Sequence, residues 1–168
     1  MNKNIRYLAL CVLLSLLLCA CGKVKVTADI SAYENTPITV SGLEEEEFEI
    51  TAGELSQLDC VGRTSQGRTA KAGTVNAVGP LLTTFLEHYG KQVTDFSRIR
   101  FIAKDGYKIT LKDAYLTDYD VVLAVSEADD PLSDTQNPLR LVIPGAESGM
   151  WAYGIIRIEF VPVEQDAA

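Results

Sequence analysis

Apolar residues recur along most of this chain with a period of two. Ile99, Phe101 and Ala103 alternate with polar positions. Tyr107, Ile109 and Leu111 do the same beyond Asp105-Gly106. Two alternating runs joined by Asp-Gly predict a β-hairpin, because that pair accepts the positive φ of a tight turn. Further strands are expected at Ile38–Gly42, Phe48–Thr51 and Val121–Val125, and then at Leu139–Ile143 and Ile155–Val161. The fourth of these is stopped by Pro144-Gly145. Two stretches follow the helical period instead. Thr51 and Glu54 have the spacing of a capping box, which predicts a short helix over Ala52–Leu58. Leu81, Leu82, Phe85, Leu86 and Tyr89 fall on one helical face, with Pro80 at its start and Gly90 placed to end it. Many short strands and one main helix near 80–89 predict an α+β fold, β-dominated and mixed, in a single domain.

The N-terminus breaks this pattern. Lys3 and Arg6 precede an almost wholly apolar run, Tyr7–Leu18. The run is short for a permanent membrane span and suits the central part of an export signal. It ends in Leu18-Cys19-Ala20-Cys21, which looks like the lipobox of bacterial lipoproteins. The expected organisation is a signal peptide over 1–20, a tether over 21–36, the domain over 38–161 and a flexible tail over 162–168. Acyl chains on Cys21 would anchor the protein to the cell membrane on its extracytoplasmic face, since more than one chain gives stable attachment.

Charge and cysteine count narrow the chemistry. The chain carries a formal charge of -8, and loss of Lys3 and Arg6 would take the mature form to about -10. That disfavours nucleic acid as a partner, because phosphate backbones are held by Lys and Arg. A single histidine, His88, excludes a multi-histidine metal site. Of four cysteines, Cys11 and Cys19 leave with the signal and Cys21 takes lipid, so Cys60 is left without an intramolecular disulfide partner. Cys60 opens a stretch to Leu86 that contains Arg63, Arg68 and Lys71 and no acid. With Gly62, Gly67 and Gly73 it reads as a loop whose backbone N–H groups can hold an anion. Arg63 would lower the Cys60 pKa if it lay beside it. The acidic run Glu44–Glu47 reads as a solvated loop.

Several segments, in order, resemble the oxidoreductase molybdopterin-binding domain of sulfite-oxidase-type fold. They are Ile38–Gly42, Leu58-Asp59-Cys60-Val61-Gly62-Arg63 and Gly79–Leu86, followed by Phe101–Tyr107 with its Asp105-Gly106-Tyr107, Pro138–Gly145 with its Pro-Leu-Arg, and Trp151–Ile158. The resemblance implies Cys60 as a molybdenum ligand, with Arg63, Arg68 and Arg140 facing a cofactor phosphate or an oxyanion. Asp105 and Tyr107 join the same candidate site. A soft thiolate suits such a metal, and the cofactor would carry the redox work.

The chain departs from that pattern in two places. Between Gly42 and Cys60 there is neither His nor Arg, and Trp151-Ala152-Tyr153-Gly154 lacks the expected lysine. Export adds an objection: Met1–Arg6 has no arginine pair, so the signal belongs to a route that threads unfolded chains. The expectation is a degenerate domain without cofactor, binding a small anion or a partner protein. The alternative is a small molybdopterin-dependent oxidoreductase.

Overall fold

A computed structural model describes residues 23–67 and 73–163. The signal region, Cys21, Arg68, Lys71 and the tail beyond Val163 lie outside those residues. The largest sheet has the order β2-β1-β12-β5-β6. Its strands are β1 (Pro37–Ser41), β2 (Phe48–Thr51), β5 (Phe96–Ala103), β6 (Lys108–Leu111) and β12 (Ile155–Pro162). β1 runs parallel to β12, and the other pairs are antiparallel. The registers bring Val40, Ile158, Phe101 and Ile109 into one row across four strands, all buried. Period-two alternation in each strand thus becomes a single apolar face.

Helix α1 (Ala52–Gln57) follows β2 directly. Its capping box is present: Glu54 N donates to Thr51 Oγ1 at 3.1 Å, and Thr51 N donates to Glu54 Oε2 at 2.8 Å. Helix α2 (Leu82–His88) buries Leu82, Phe85 and Leu86. Phe85 stacks on Phe160 of β12 with ring centroids 6.3 Å apart, which seats α2 on the main sheet. Gly90, at φ +67°, turns the chain out of the helix as expected. Pro80 does not open α2; it is the last residue of β4, and Leu81 is the N-cap. Helix α3 is one turn, Ala114–Thr117.

Two smaller sheets complete the fold. One has the order β3-β4-β8-β9, with β3 (Cys60–Gln66), β4 (Thr74–Pro80), β8 (Ser126–Glu127) and β9 (Asp130–Pro131). The other has the order β11-β10-β7, with β7 (Val122–Ala124), β10 (Arg140–Val142) and β11 (Ala152–Tyr153). Over most of its described residues the acid-free stretch after Cys60 is therefore strand, not open loop. Residues 60–66 and 74–80 form a seven-pair antiparallel ladder, Cys60↔Pro80 to Gln66↔Thr74, whose backbone groups bond to each other. Glycine and polar content pointed to a loop; cross-strand pairing overrode it.

The stretch read as a tether is packed. Ala28, Ile30 and Tyr33 belong to the core. The Tyr33 hydroxyl donates to Val125 O at 2.8 Å and accepts from Leu132 N at 2.8 Å. It satisfies two buried backbone groups that no ladder reaches. Weak alternation hid this, because the segment packs through a few long-range contacts without joining a sheet. Among the described residues, no helix is long and apolar enough to cross a membrane.

Tyr33→Phe should lower unfolding free energy by about 2–3 kcal/mol, since it strands a buried N–H and a buried C=O. A urea titration of the folded domain measures this. A loss near zero would mean that residues 23–36 are not integral to the fold.

Candidate functional site

Cys60 begins β3 with its side chain closed off; the residue is 2% exposed. Its Sγ lies 3.7 Å from Leu55 O and 3.8 Å from Ser56 O, the carbonyls at the end of α1. Its own carbonyl accepts from Val24 N at 2.8 Å. Lys23 reaches Asp59 at 2.6 Å. Burial, and then the carboxylate of Asp59, push the thiol pKa up to about 11. At neutral pH the group is a thiol held against carbonyl oxygens.

Arg63 does not act on it. Side chains three apart on a strand point to opposite faces. Arg63 Nε instead donates to Asp120 Oδ2 at 2.7 Å. The expectation that Arg63 lowers the Cys60 pKa is therefore reversed: the shift is upward, and its causes are burial and Asp59.

The most developed hollow lies elsewhere. Arg140, on β10, is 5% exposed and ion-pairs through Nη1 with Glu127 of β8. Glu127 also accepts from Gln136 Nε2 at 2.9 Å. The Arg140 guanidinium sits 5.5 Å from the ring centroid of Tyr153, its cross-strand partner on β11. Its Nε is buried and has no hydrogen-bond partner. Arg140 lines a cavity of about 710 Å³ together with Thr74, Glu127, Gln136, Trp151 and Tyr153. Trp151 is fixed by its indole N–H, which donates to Ile143 O at 3.0 Å.

Asp105 and Tyr107 border an adjoining hollow of about 310 Å³ that shares Ser148, Gly149, Trp151 and Tyr153 with the first. Asp105 Oδ1 accepts from Tyr107 N at 2.9 Å, which closes the predicted hairpin turn. The Tyr107 hydroxyl donates to Gly149 O at 3.2 Å.

The five candidate residues that are described, Arg68 lying outside them, thus divide. Arg140, Asp105 and Tyr107 gather around Trp151 and Tyr153, whereas Cys60 and Arg63 do not line either hollow. Cys60 pairs with Pro80 at one end of the β3–β4 ladder, and Thr74 of the cavity wall is at the other. The two ends are up to roughly 20 Å apart along the strands. Sequence reasoning missed Glu127 and Tyr153. Glu127 sat in an acidic, turn-rich stretch, and only its pairing with Ala77 brings it to Arg140.

The sequence-family match decides the lineage. The model of the oxidoreductase molybdopterin binding domain matches residues 23–168. The chain belongs to that family. Its fold agrees with the crystal structure of the sulfane dehydrogenase SoxCD from Paracoccus pantotrophus, at a TM-score of 0.61 and 19% identity. The alignment covers 79% of this chain and 40% of that one, so this chain spans well under half of that chain's length. Among curated proteins, none matches.

Membership raises the question of fit to a molybdopterin. A metal-binding thiolate needs an ionised sulfur with an open side, and the cofactor phosphate needs cations free to meet it. Here the thiol faces carbonyl oxygens beside a carboxylate, Arg63 is committed to Asp120, and Arg140 to Glu127. Among the described residues, the donor set as folded does not fit the group.

The raised thiol pKa has a pH signature. The folded state holds this proton more tightly than the unfolded chain, whose cysteine titrates near pH 8.5. The resulting stability is fully present below about pH 8.5 and is lost as pH rises toward about 11. Burial also raises the pKa of Tyr33 and Tyr89, but they contribute equally to a Cys60→Ala variant and cancel in the difference. Unfolding free energies at pH 8 and pH 10.5 should fall more steeply in the parent than in Cys60→Ala. Equal slopes would mean an exposed thiol.

Proposed function

We propose that this protein is a membrane-anchored, extracytoplasmic lipoprotein whose molybdopterin-binding-type domain works without cofactor as a ligand-binding module. One observation carries the reading: the buried Arg140 guanidinium, held by Glu127 and Tyr153, lines the large cavity, and the family's thiol position does not. The Arg140 side chain, which lines the cavity, can meet an acceptor oxygen of a small ligand. Its charge is already balanced by Glu127, so a single carboxylate or a neutral carbonyl suits the cavity better than a multiply charged phosphate. The half-exposed ring of Tyr153 and the wall of Trp151 give such a ligand an apolar side to pack on.

The anchoring half of the reading rests on the N-terminal pattern: Lys3 and Arg6, the apolar run, and Leu18-Cys19-Ala20-Cys21. A secretory signal without paired arginines fits a domain that folds after export and carries nothing assembled in the cytoplasm.

A second reading, a small molybdopterin-dependent oxidoreductase, draws on family membership and the retained Cys60. The two readings differ in one measurable quantity. Protein purified from its native membrane should contain molybdenum and pterin far below one equivalent. Near-stoichiometric molybdenum, lost in Cys60→Ser, would overturn the binding-module reading and make the protein an enzyme. Separately, intact mass of the protein from its native membrane should show acyl chains on Cys21 that are absent from Cys21→Ser; an unmodified Cys21 in the parent would remove the lipid anchor from the proposal.

A further inference from the structure

The packing of residues 23–33 has a consequence for how an anchored domain meets its membrane. Only one residue separates Cys21 from Lys23. Two residue steps span at most about 7 Å, whatever their conformation. From Lys23 onward the chain is held. Lys23 Nζ lies 2.6 Å from Asp59, Val24 N donates to Cys60 O at 2.8 Å, and Thr27 Oγ1 donates to Asp129 at 2.6 Å. A domain of this size has a radius of gyration of about 15 Å. The leash is therefore much shorter than the body it holds, and it restricts which face can approach the lipid.

We infer that the end of the domain formed by Lys23–Val26, the last turn of α1 and the start of β3 rests directly on the bilayer surface. This inference rests on the lipid-anchor reading of Cys21. Charge supports the same orientation. Lys25 in this segment is an exposed cation, while Lys23 is already paired with Asp59 on the same face. An anionic headgroup layer attracts a lysine near its surface by about 1 kcal/mol, so Lys25 favours this contact. Membrane contact would then cover the mouth of the hollow beside Cys60, lined by Lys23, Val26, Gln57 and Asp59. The Arg140 cavity, at the far end of the β3–β4 ladder, would stay open to the aqueous side.

The test uses the full, acylated chain in vesicles of phosphatidylethanolamine and phosphatidylglycerol that carry a headgroup-level nitroxide quencher. A fluorophore is placed on Gln57→Cys, at the inferred contact, or on Thr110→Cys, on the edge strand β6; both positions are exposed, and the buried Cys60 stays unlabelled. Intact mass first establishes acyl chains on Cys21. Marked loss of fluorescence at position 57 with little at position 110 is the expected result. Acylated protein quenched equally at both positions, or more at 110, overturns the orientation and leaves the lipid anchor standing. Absence of acyl mass overturns both.

Discussion

Backbone contact between β4 and β7 is the constraint on which the rest of the site depends. A Cβ built on Gly79 would stand 2.0 Å from Leu123 O, so no other residue permits this approach. Val125 N donates to Val78 O and Leu82 N to Val121 O, at 2.9 and 2.8 Å, on either side of the contact. These bonds hold two small sheets together. They bring Glu127, opposite Ala77 on β4, within reach of Arg140, opposite Ala124 on β7. The ion pair lining the large cavity is thus built by strand pairing and does not depend on a mobile loop. The same contact lets Val121–Val125 be buried throughout, because it has protein on both faces.

A buried arginine is costly unless paired, and desolvation can exceed the attraction it gains. Arg140 pairs with one carboxylate and lies against the Tyr153 ring, yet keeps Nε without a partner. A site of this kind has almost no net charge. It therefore discriminates by shape and hydrogen bonding more than by long-range attraction. Cys60 presents the opposite case: every neighbour named for it, from the α1 carbonyls to Asp59, favours the neutral thiol. Its likeness to a metal-ligand position is one of chain order. Environment decides chemistry, and a fold can keep the position after the environment has changed.

Most of the regular structure was legible. The Asp105-Gly106 hairpin, the Thr51–Glu54 capping box and the strands around Val40, Leu141 and Ile158 carry strong local signals, and each lies where its pattern placed it. Local signal failed where long-range contact decides. Residues 23–36 read as a tether and are held by Tyr33 reaching Val125 and Leu132. The Cys60–Pro80 ladder was obscured by three glycines and a run of polar residues, since pairing energy between strands is not written in either strand alone. Resemblance placed all five candidate residues in one site. Strand parity separates Arg63 from Cys60, and ladder length separates Cys60 from Arg140, and neither follows from motif order.

The two ends of the β3–β4 ladder then take on different roles. One end, at Cys60 and Pro80, is tied to the N-terminal segment through Val24 and Lys23. The other, at Gln66 and Thr74, forms part of the cavity wall around Arg140. An anchor at Cys21 would load the first end and leave the second free. A ligand arriving from the aqueous phase would meet Arg140 without crossing the headgroup layer, and the buried thiol would sit on the side least able to reach it. On the proposed reading, attachment and recognition would fall at opposite ends of one hairpin, with the ladder between them as the spacer.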